Sequence, residues 1–250
     1  MDQMRPDFIN ALSSEARNAW IVGLSSVKNT LLEELQVSKG MSVLCLCCGA
    51  GLETLMAAKM VGKSGRVVGV DFNPHALALA QDLIRANALD VEFVLADAAG
   101  LSAGLVEFDR IVCCYGIHLL GAPKRSLLAD WNNRLTPNGR LGIASRLSNG
   151  PSNLYKPIWR WTLESAERSE SDGEIAGSDV RSSCFIVPHP DVDHFWKVEQ
   201  TSEDWTRLKQ HTDPTQLAAI EESILIALRR EYPNFVRQEI WTRFTYIPRS

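Results

Sequence analysis

The sequence predicts an α/β protein with a doubly wound, mostly parallel sheet of seven strands, the last of them antiparallel. From Met41 onward, short apolar segments alternate with helical segments, which is typical of βαβ units. The apolar segments are almost continuously hydrophobic, as expected for strands covered on both faces. Residues Glu239–Ile247 instead alternate between polar and apolar side chains, which favours an antiparallel final strand.

The first predicted element is a helix over Ala11–Leu35. Apolar residues recur in it at three- and four-residue spacing, namely Ala16, Trp20, Leu24, Val27 and Leu31. We interpret residues 1–39 as a helical cap that precedes a core at residues 40–147.

Five strands are predicted within the core: Ser42–Cys47, Arg66–Val70, Val91–Leu95, Arg110–Tyr115 and Arg140–Ser145. The joints between them carry helix and turn signals. Asn73 and Pro74 form an N-cap and first turn, so a helix should begin after the second strand. Leu135–Gly139 contains a Pro-Asn-Gly sequence that predicts a turn into the fifth strand.

The character of the sequence changes after the fifth strand. We interpret residues 148–194 as an insertion, in which the polar segment Glu164–Asp179 should be a mobile surface loop. The remaining residues, 195–250, should hold a strand at Phe195–Gln200, a helix from Pro214 to about Arg230, and the final strand.

Composition and charge restrict the class of protein. With 250 residues, of which 45% are hydrophobic, the chain can form one domain with a sizeable core. The net charge is −4 and the basic residues are scattered, which argues against nucleic acid as a partner. Because there is no basic leader and no apolar run of about 20 residues, we expect a soluble cytoplasmic protein, a monomer or homodimer, that acts on a small molecule.

Five of the six cysteines fall in two apolar segments, Cys45 to Cys48 and Cys113 to Cys114. Buried free thiols in a reducing compartment are the simplest interpretation. A metal site or a disulfide between the segments is conceivable, but neither segment has C-x₂-C spacing. We therefore predict no metal.

Three features at predicted strand ends indicate a nucleotide cofactor. Gly49 and Gly51 follow the first strand and precede a helix, whose N-terminus would favour a negatively charged or carboxylate-bearing group. Asp71 ends the second strand, where a carboxylate commonly accepts hydrogen bonds from ribose hydroxyls. Asp97 and Ala98 follow the third strand, at the rim of a candidate adenine pocket.

The glycine pattern distinguishes two kinds of nucleotide site. A dinucleotide fingerprint needs a third glycine where Thr54 stands. Instead, the chain resembles the class I S-adenosylmethionine-dependent methyltransferases of small molecules. Their first motif, V-L-D-x-G-x-G-x-G, aligns with residues 43–51, and later landmarks follow in order at Val68–Asp71, Ala96–Ala98, Phe108–Val112 and Leu135–Arg140.

This resemblance implies a Rossmann-like fold and S-adenosyl-L-methionine as the cofactor. It also implies a set of cofactor-binding residues: Cys47, Gly49, Gly51, Asp71, Phe72, Asp97, Ala98 and Tyr115. Two positions depart from the family pattern. Cys45 stands where an acidic residue is usual and Cys47 where a glycine is usual, so contacts near the methionine end of the cofactor are altered.

Further residues are candidates for a role in chemistry or substrate binding. His118 follows the fourth strand and could serve as a general base, or could simply pack between Ile117 and Leu119. His189 and His194 could reach the mouth of the site, but we expect them in a surface loop. The aromatic residues Trp20, Tyr155, Trp159 and Trp161 could form a substrate lid or ordinary core packing.

We therefore expect methyl transfer to a small organic molecule, such as a secondary metabolite, with optional base assistance. The methyl acceptor, whether O, N, S or C, is left open. Two alternatives stay open as well: a cofactor-binding enzyme that catalyses a cyclisation or rearrangement without methylation, and a catalytically inactive partner subunit.

Overall fold

The computed structural model describes residues 14–146, 178–200, 205, 208–210, 212–234 and 236–249. The chain divides into two compact units. We call the first the core unit; it comprises Leu24–Leu147, Glu174–Ser183 and Trp241–Ser250. The second unit comprises Met1–Gly23, Ser148–Gly173 and Cys184–Ile240. The predicted lid residues Tyr155, Trp159 and Trp161 and the side chain of Trp20 lie outside the described residues.

Helices and strands alternate along the described residues. In chain order they are α1 (Ser14–Glu34), β1 (Ser42–Leu46), α2 (Leu52–Val61), β2 (Arg66–Asp71), α3 (Pro74–Ala86), β3 (Glu92–Leu95), β4 (Phe108–Cys114), α4 (Lys124–Asn132), β5 (Leu135–Arg146), β6 (Asp179–His189), α5 (Val192–Glu199), α6 (Pro214–Glu231) and β7 (Val236–Pro248). Short 3₁₀ turns occur at Gly62–Ser64 and Ile117–Leu119. None of the helices in the described residues combines the length and the apolar character needed to cross a membrane.

The strands form one seven-stranded sheet in the order β3-β2-β1-β4-β5-β7-β6. Strands β1 to β5 pair in parallel, and β7 pairs antiparallel with β5. The predicted mixed sheet with an antiparallel last strand is therefore confirmed. The strand order reverses between β1 and β4, and ligands of open α/β sheets bind at the carboxyl ends of strands beside such a switch point.

Apolar layers cover both faces of the sheet in the core unit. On one face, Leu44, Val68 and Ile111 join a cluster with Leu127 and Trp131 of α4, all of them buried. On the other face, α1 lies so close to β5 that a Cβ on Gly142 would come within 3.0 Å of Leu31 Cδ1. Helix α1 confirms the predicted N-terminal helix, but its role as a cap stays a prediction, as do the predicted boundaries at residues 39, 147 and 194.

The prediction of a strand at Phe195–Gln200 is wrong, because Phe195–Glu199 belong to α5 and Gln200 follows it in a turn. The Asp191 carboxylate accepts a hydrogen bond from the His194 backbone N–H at 2.7 Å, which stabilises the start of the helix. Val192, Phe195 and Trp196 then recur at helical spacing and are buried in a cluster with Trp205 and residues of α6. Three- and four-residue spacing therefore decides the structure of this segment.

The strand that the prediction missed is β6, which begins at the end of the predicted polar loop and lies within the predicted insertion. Residues 147–177, which include most of that loop, lie outside the described residues. The expected surface loop around His189 and His194 is also wrong. His189 ends β6 and is 1% exposed, and its Nδ1 lies 3.1 Å from Nδ1 of His194 in α5.

The predicted turn at Leu135–Gly139 is an irregularity inside β5 instead. Leu135 pairs with Phe108, and the next pair joins Arg140 to Arg110 after a register shift. Leu135 and Phe108 are both buried. Their burial keeps the first residue of β5 paired in the sheet, before the irregularity begins.

Trp131 is the largest fully buried side chain of the core unit, and its indole makes a specific hydrogen bond. Its Nε1 donates to the Ala98 carbonyl at 2.9 Å. Replacement of Trp131 by Phe should keep most of the apolar contact but leave this carbonyl unpaired, which costs about 1–3 kcal/mol. We expect urea unfolding of Trp131→Phe to show this loss of stability, and an unchanged midpoint would contradict a stabilising role for the hydrogen bond.

Candidate functional site

The turn between β1 and α2 has a tightly constrained backbone. Cys47, Gly49 and Gly51 all have positive φ angles, of 53°, 52° and 85°. The Gly51 N–H donates to the Cys48 carbonyl at 3.0 Å and closes the turn. The Cys48 N–H donates to the Val70 carbonyl at 3.0 Å, so the turn stays attached to β2. The glycine turn, residues 47–51, is thus fixed at the switch point of the sheet.

The two glycines of the turn have different surroundings. A Cβ on Gly51 would lie 2.7 Å from Ala80 Cβ and 3.0 Å from Ala80 Cα, so only glycine allows the turn to approach α3. A Cβ on Gly49 would have no atom within 4 Å. Gly51 therefore serves the packing of the turn, whereas Gly49 borders open space that a ligand could fill.

Asp71 links the glycine turn to the end of β2. Its Oδ2 accepts a hydrogen bond from the Gly49 N–H at 2.8 Å, and its Oδ1 accepts one from the Asn73 N–H at 3.0 Å. The residue is only 8% exposed. A carboxylate offers about four acceptor sites, so each oxygen retains acceptor capacity for ribose hydroxyls. The structure thus brings together two of the residues that the sequence singled out.

An apolar rim lies beside Asp71 at the ends of β2 and β3. Phe72 is 53% exposed and Leu95 is 59% exposed, although both are large hydrophobic residues. Leu95 is the register partner of Asp71 in the sheet. Exposed apolar side chains at strand ends suit a flat aromatic group such as adenine.

The Asp97–Ala98 segment forms a turn after β3. Asp97 is exposed, and its Oδ1 accepts a hydrogen bond from the Ala99 N–H at 2.8 Å. Ala98 is buried in the apolar cluster, and its carbonyl accepts a hydrogen bond from the Trp131 indole. Asp97 therefore faces solvent at the same edge of the sheet as Asp71, while Ala98 fixes the turn from the protein interior.

Cys45 and Cys47 occupy very different environments. Cys45 is fully buried, and burial raises the pKa of its thiol, so it remains neutral and cannot replace the charge of an acidic residue. Cys47 is partly exposed, and its side chain fills the space beside Gly116, where an added Cβ would come within 2.3 Å of Cys47 Cβ. A hydrogen bond to Cys47, together with burial, raises the pKa of the Cys113 thiol.

Two further candidates follow β4. Tyr115 has a φ of 57°, and its hydroxyl hydrogen-bonds to Thr242 Oγ1 of β7 at 2.5 Å. His118 lies on the 3₁₀ turn Ile117–Leu119 and is exposed, whereas Ile117 is buried. His118 is therefore not a fully buried core histidine, and its role as a base stays a prediction.

A buried ion pair beside the turn was missed by the sequence analysis. Lys28 Nζ of α1 contacts Glu53 Oε2 in the first turn of α2, and their side chains are 11% and 3% exposed. Burial by itself lowers the pKa of Lys28, but the Glu53 carboxylate and, to a lesser extent, the thiols of Cys114 and Cys45 together raise the pKa above its ordinary value. The signal was present in the sequence, because Lys28 lies on the apolar face of α1 between Leu24 and Leu31.

A glycine turn and a carboxylate at neighbouring strand ends of a parallel sheet are typical of nucleotide-binding α/β proteins. Residues 43–139 match the family model described as "Methyltransferase domain". The core of the chain, residues 43–139, is therefore similar to the methyltransferase domains of the class I S-adenosylmethionine-dependent methyltransferases.

Curated relatives are similar in sequence to part of the chain. It is 33% identical over 144 residues to the demethylmenaquinone methyltransferase of Lactobacillus johnsonii, covering 57% of this chain and 54% of that protein. It is 30% identical over 139 residues to the 2-phytyl-1,4-naphtoquinone methyltransferase of Thermosynechococcus vestitus, covering 55% and 60%. The chain thus spans a little over half the length of these relatives.

Solved structures agree on the fold. The YcgJ protein of Bacillus subtilis has a TM-score of 0.55 and 12% identity, covering 90% of this chain and 99% of its own. The precorrin-6y C5,15-methyltransferase of Geobacter metallireducens has a TM-score of 0.52 and 14% identity, covering 88% and 87%. At these identities the similarity concerns the fold alone.

Proposed function

We propose that this protein binds S-adenosyl-L-methionine and transfers its methyl group to a small organic molecule. The observation that carries the proposal is the hydrogen bond from Gly49 to Asp71, which joins the glycine turn to the strand-end carboxylate beside open space. In this proposal the cofactor is bound by Cys47, Gly49, Gly51, Asp71, Phe72, Asp97, Ala98 and Tyr115.

The residues present fit this cofactor. Gly49 leaves room for close approach of a ligand to the backbone. Asp71 has acceptor sites for ribose hydroxyls, and Phe72 and Leu95 offer an apolar surface for adenine. Asp97 can accept a hydrogen bond from an exocyclic amino group at the rim. These contacts would orient the adenosine part of the ligand against the carboxyl ends of β1, β2 and β3.

The bound cofactor would supply a methyl group already activated by a positively charged sulfur. The protein must then hold the acceptor atom in line with the methyl carbon and keep water out. Methyl transfer therefore requires accurate positioning of the acceptor more than strong acid or base catalysis. A general base is needed only for an acceptor that must lose a proton.

His118 is our candidate for that base, because it is exposed at the end of β4 next to the switch point. We expect His118→Ala to lower kcat about tenfold, below the typical contribution of a general base of about 100-fold or more, since the cofactor already activates the methyl group. Added imidazole should restore part of the lost rate. An unchanged kcat in the variant would exclude His118 as the base.

The relatives indicate which acceptors to test first. These relatives are named as methyltransferases of demethylmenaquinone and of a phytyl naphthoquinone, which are aromatic molecules with apolar side chains. Leu119, which is 43% exposed beside His118, is an apolar residue in a suitable place for such an acceptor. We propose a substituted quinone or a related aromatic compound as the substrate class.

A transfer assay tests the proposed activity. The protein is incubated with S-adenosylmethionine labelled in the methyl group and with demethylated quinones, and label in the acceptor and release of S-adenosylhomocysteine are measured. Both should appear together and should be lost in Asp71→Ala. Turnover of the acceptor without S-adenosylhomocysteine would instead favour a rearrangement enzyme, and binding of the cofactor with no turnover of any acceptor would favour an inactive partner subunit.

A further inference from the structure

We infer that Glu53 accepts a hydrogen bond from the α-ammonium group of the bound cofactor, and that Lys28 holds the Glu53 carboxylate in position. This inference rests on the proposed function, because it concerns the amino-acid end of the same cofactor. It assigns to Glu53 the negative charge that the family pattern usually has at the position of Cys45.

The first argument is the incomplete bonding of the Glu53 carboxylate. Glu53 is the second residue of α2, directly after the glycine turn, and its side chain is 3% exposed. Its Oε2 is paired with Lys28. Its Oε1 is buried and has no hydrogen-bond partner among the residues that the structure describes. A buried carboxylate oxygen without a donor is unfavourable, so a donor brought by a ligand would be strongly favoured.

The second argument is the place of the pair in the sheet. Glu53 follows the glycine turn that joins the carboxyl end of β1 to α2, and Lys28 is paired with it. The pair therefore lies near the carboxyl end of β1, the strand that borders the switch point. Because the Cys45 thiol stays neutral, Glu53 supplies the negative charge at this place.

The other carboxylates around the turn are less suited to an ammonium group. Each oxygen of Asp71 already accepts one backbone N–H group, and the proposed function assigns its remaining acceptor capacity to ribose hydroxyls. Asp97 is exposed to solvent, where a hydrogen bond to an ammonium gains little. An ammonium offers three donors, and a charge-assisted hydrogen bond to a shielded carboxylate is among the stronger polar interactions.

The experiment compares two ligands that differ only at the amino-acid end. S-adenosylhomocysteine carries the α-ammonium group, and 5′-methylthioadenosine lacks it. Calorimetric titrations of both are made with the wild type, with Glu53→Gln and with Glu33→Gln, a control that neutralises an exposed glutamate of α1. We expect Glu53→Gln to weaken S-adenosylhomocysteine binding about 30-fold or more. The affinity for 5′-methylthioadenosine should change less than about twofold, and Glu33→Gln should bind both ligands like the wild type.

A second variant separates ligand contact from folding. Glu53→Gln leaves Lys28 buried and unpaired and could unfold the protein. The double variant Lys28→Met with Glu53→Gln removes both charges, a change that buried ion pairs often tolerate. It should show the same selective loss of S-adenosylhomocysteine affinity.

The outcomes are distinct. A selective loss for S-adenosylhomocysteine supports the role of Glu53. Equal weakening of both ligands, or unchanged affinity for both, overturns that role and leaves the proposed function intact. Failure of the wild type to bind either ligand overturns the proposed function and this inference together.

Discussion

Replacement of Asp71 by Ala should reduce the affinity for S-adenosylmethionine about 100-fold or more, which corresponds to about 2.8 kcal/mol. The variant loses the acceptor proposed for ribose hydroxyls and, at the same time, the carboxylate oxygen that accepts the Gly49 N–H at 2.8 Å. The Gly49 and Asn73 N–H groups lose a charged partner, so the free energy of unfolding should fall by about 2–4 kcal/mol. Calorimetry measures the affinity, and urea unfolding measures the stability.

Two variants control this experiment. Asp82→Ala removes an exposed carboxylate of α3 that pairs with Arg85 at the surface, so it should leave affinity and stability almost unchanged. Asp71→Asn keeps one acceptor oxygen and should fall between the wild type and Asp71→Ala. If Asp71→Ala binds the cofactor as well as Asp82→Ala does, the strand-end carboxylate has no role in binding.

Replacement of Gly51 by Ala should lower the free energy of unfolding by about 2–4 kcal/mol. The added Cβ would lie 2.7 Å from Ala80 Cβ, and a φ of 85° is unfavourable for alanine. Relief of the contact requires the turn and α3 to separate, because Ala80 has no flexible side chain that could move away. The Gly49 N–H should then move away from the Asp71 carboxylate. Because this displaces the glycine turn, the affinity for the cofactor should fall as well.

Gly49→Ala is the matched control, because it adds the same methyl group at a similar backbone angle without a steric contact. Its Cβ would meet no atom within 4 Å, so the stability should fall by only about 1 kcal/mol, from backbone strain. If the cofactor lies against Gly49, however, the methyl group should still weaken binding. Equal loss of stability in the two variants would contradict the packing role assigned to Gly51.

Much of the core unit could be predicted from the sequence, since its strands are short apolar segments with clear helix signals between them. The glycine turn and Asp71 could be paired in advance, because the carboxyl ends of β1 and β2 must be neighbours in such a sheet. In the structure the two residues do meet, because the Gly49 N–H donates a hydrogen bond to Asp71.

Other features required the three-dimensional structure. Strand β6 lies at the edge of the sheet, and its first half is exposed and polar, so it has no apolar pattern to reveal it. Helix α5 is short and aromatic, and its residues also suit a strand. The Lys28–Glu53 pair joins residues 25 positions apart on different elements, and only packing shows that they meet.

The most direct test of the central claim is a calorimetric titration of the wild type with S-adenosylmethionine and, separately, with the dinucleotide NAD. Thr54 occupies the position of the third glycine of a dinucleotide site, and its hydroxyl donates to the Gly51 carbonyl at 2.6 Å. We predict saturable binding of one S-adenosylmethionine per chain and no binding of NAD. Absence of S-adenosylmethionine binding, or binding of NAD in its place, would contradict the proposed function.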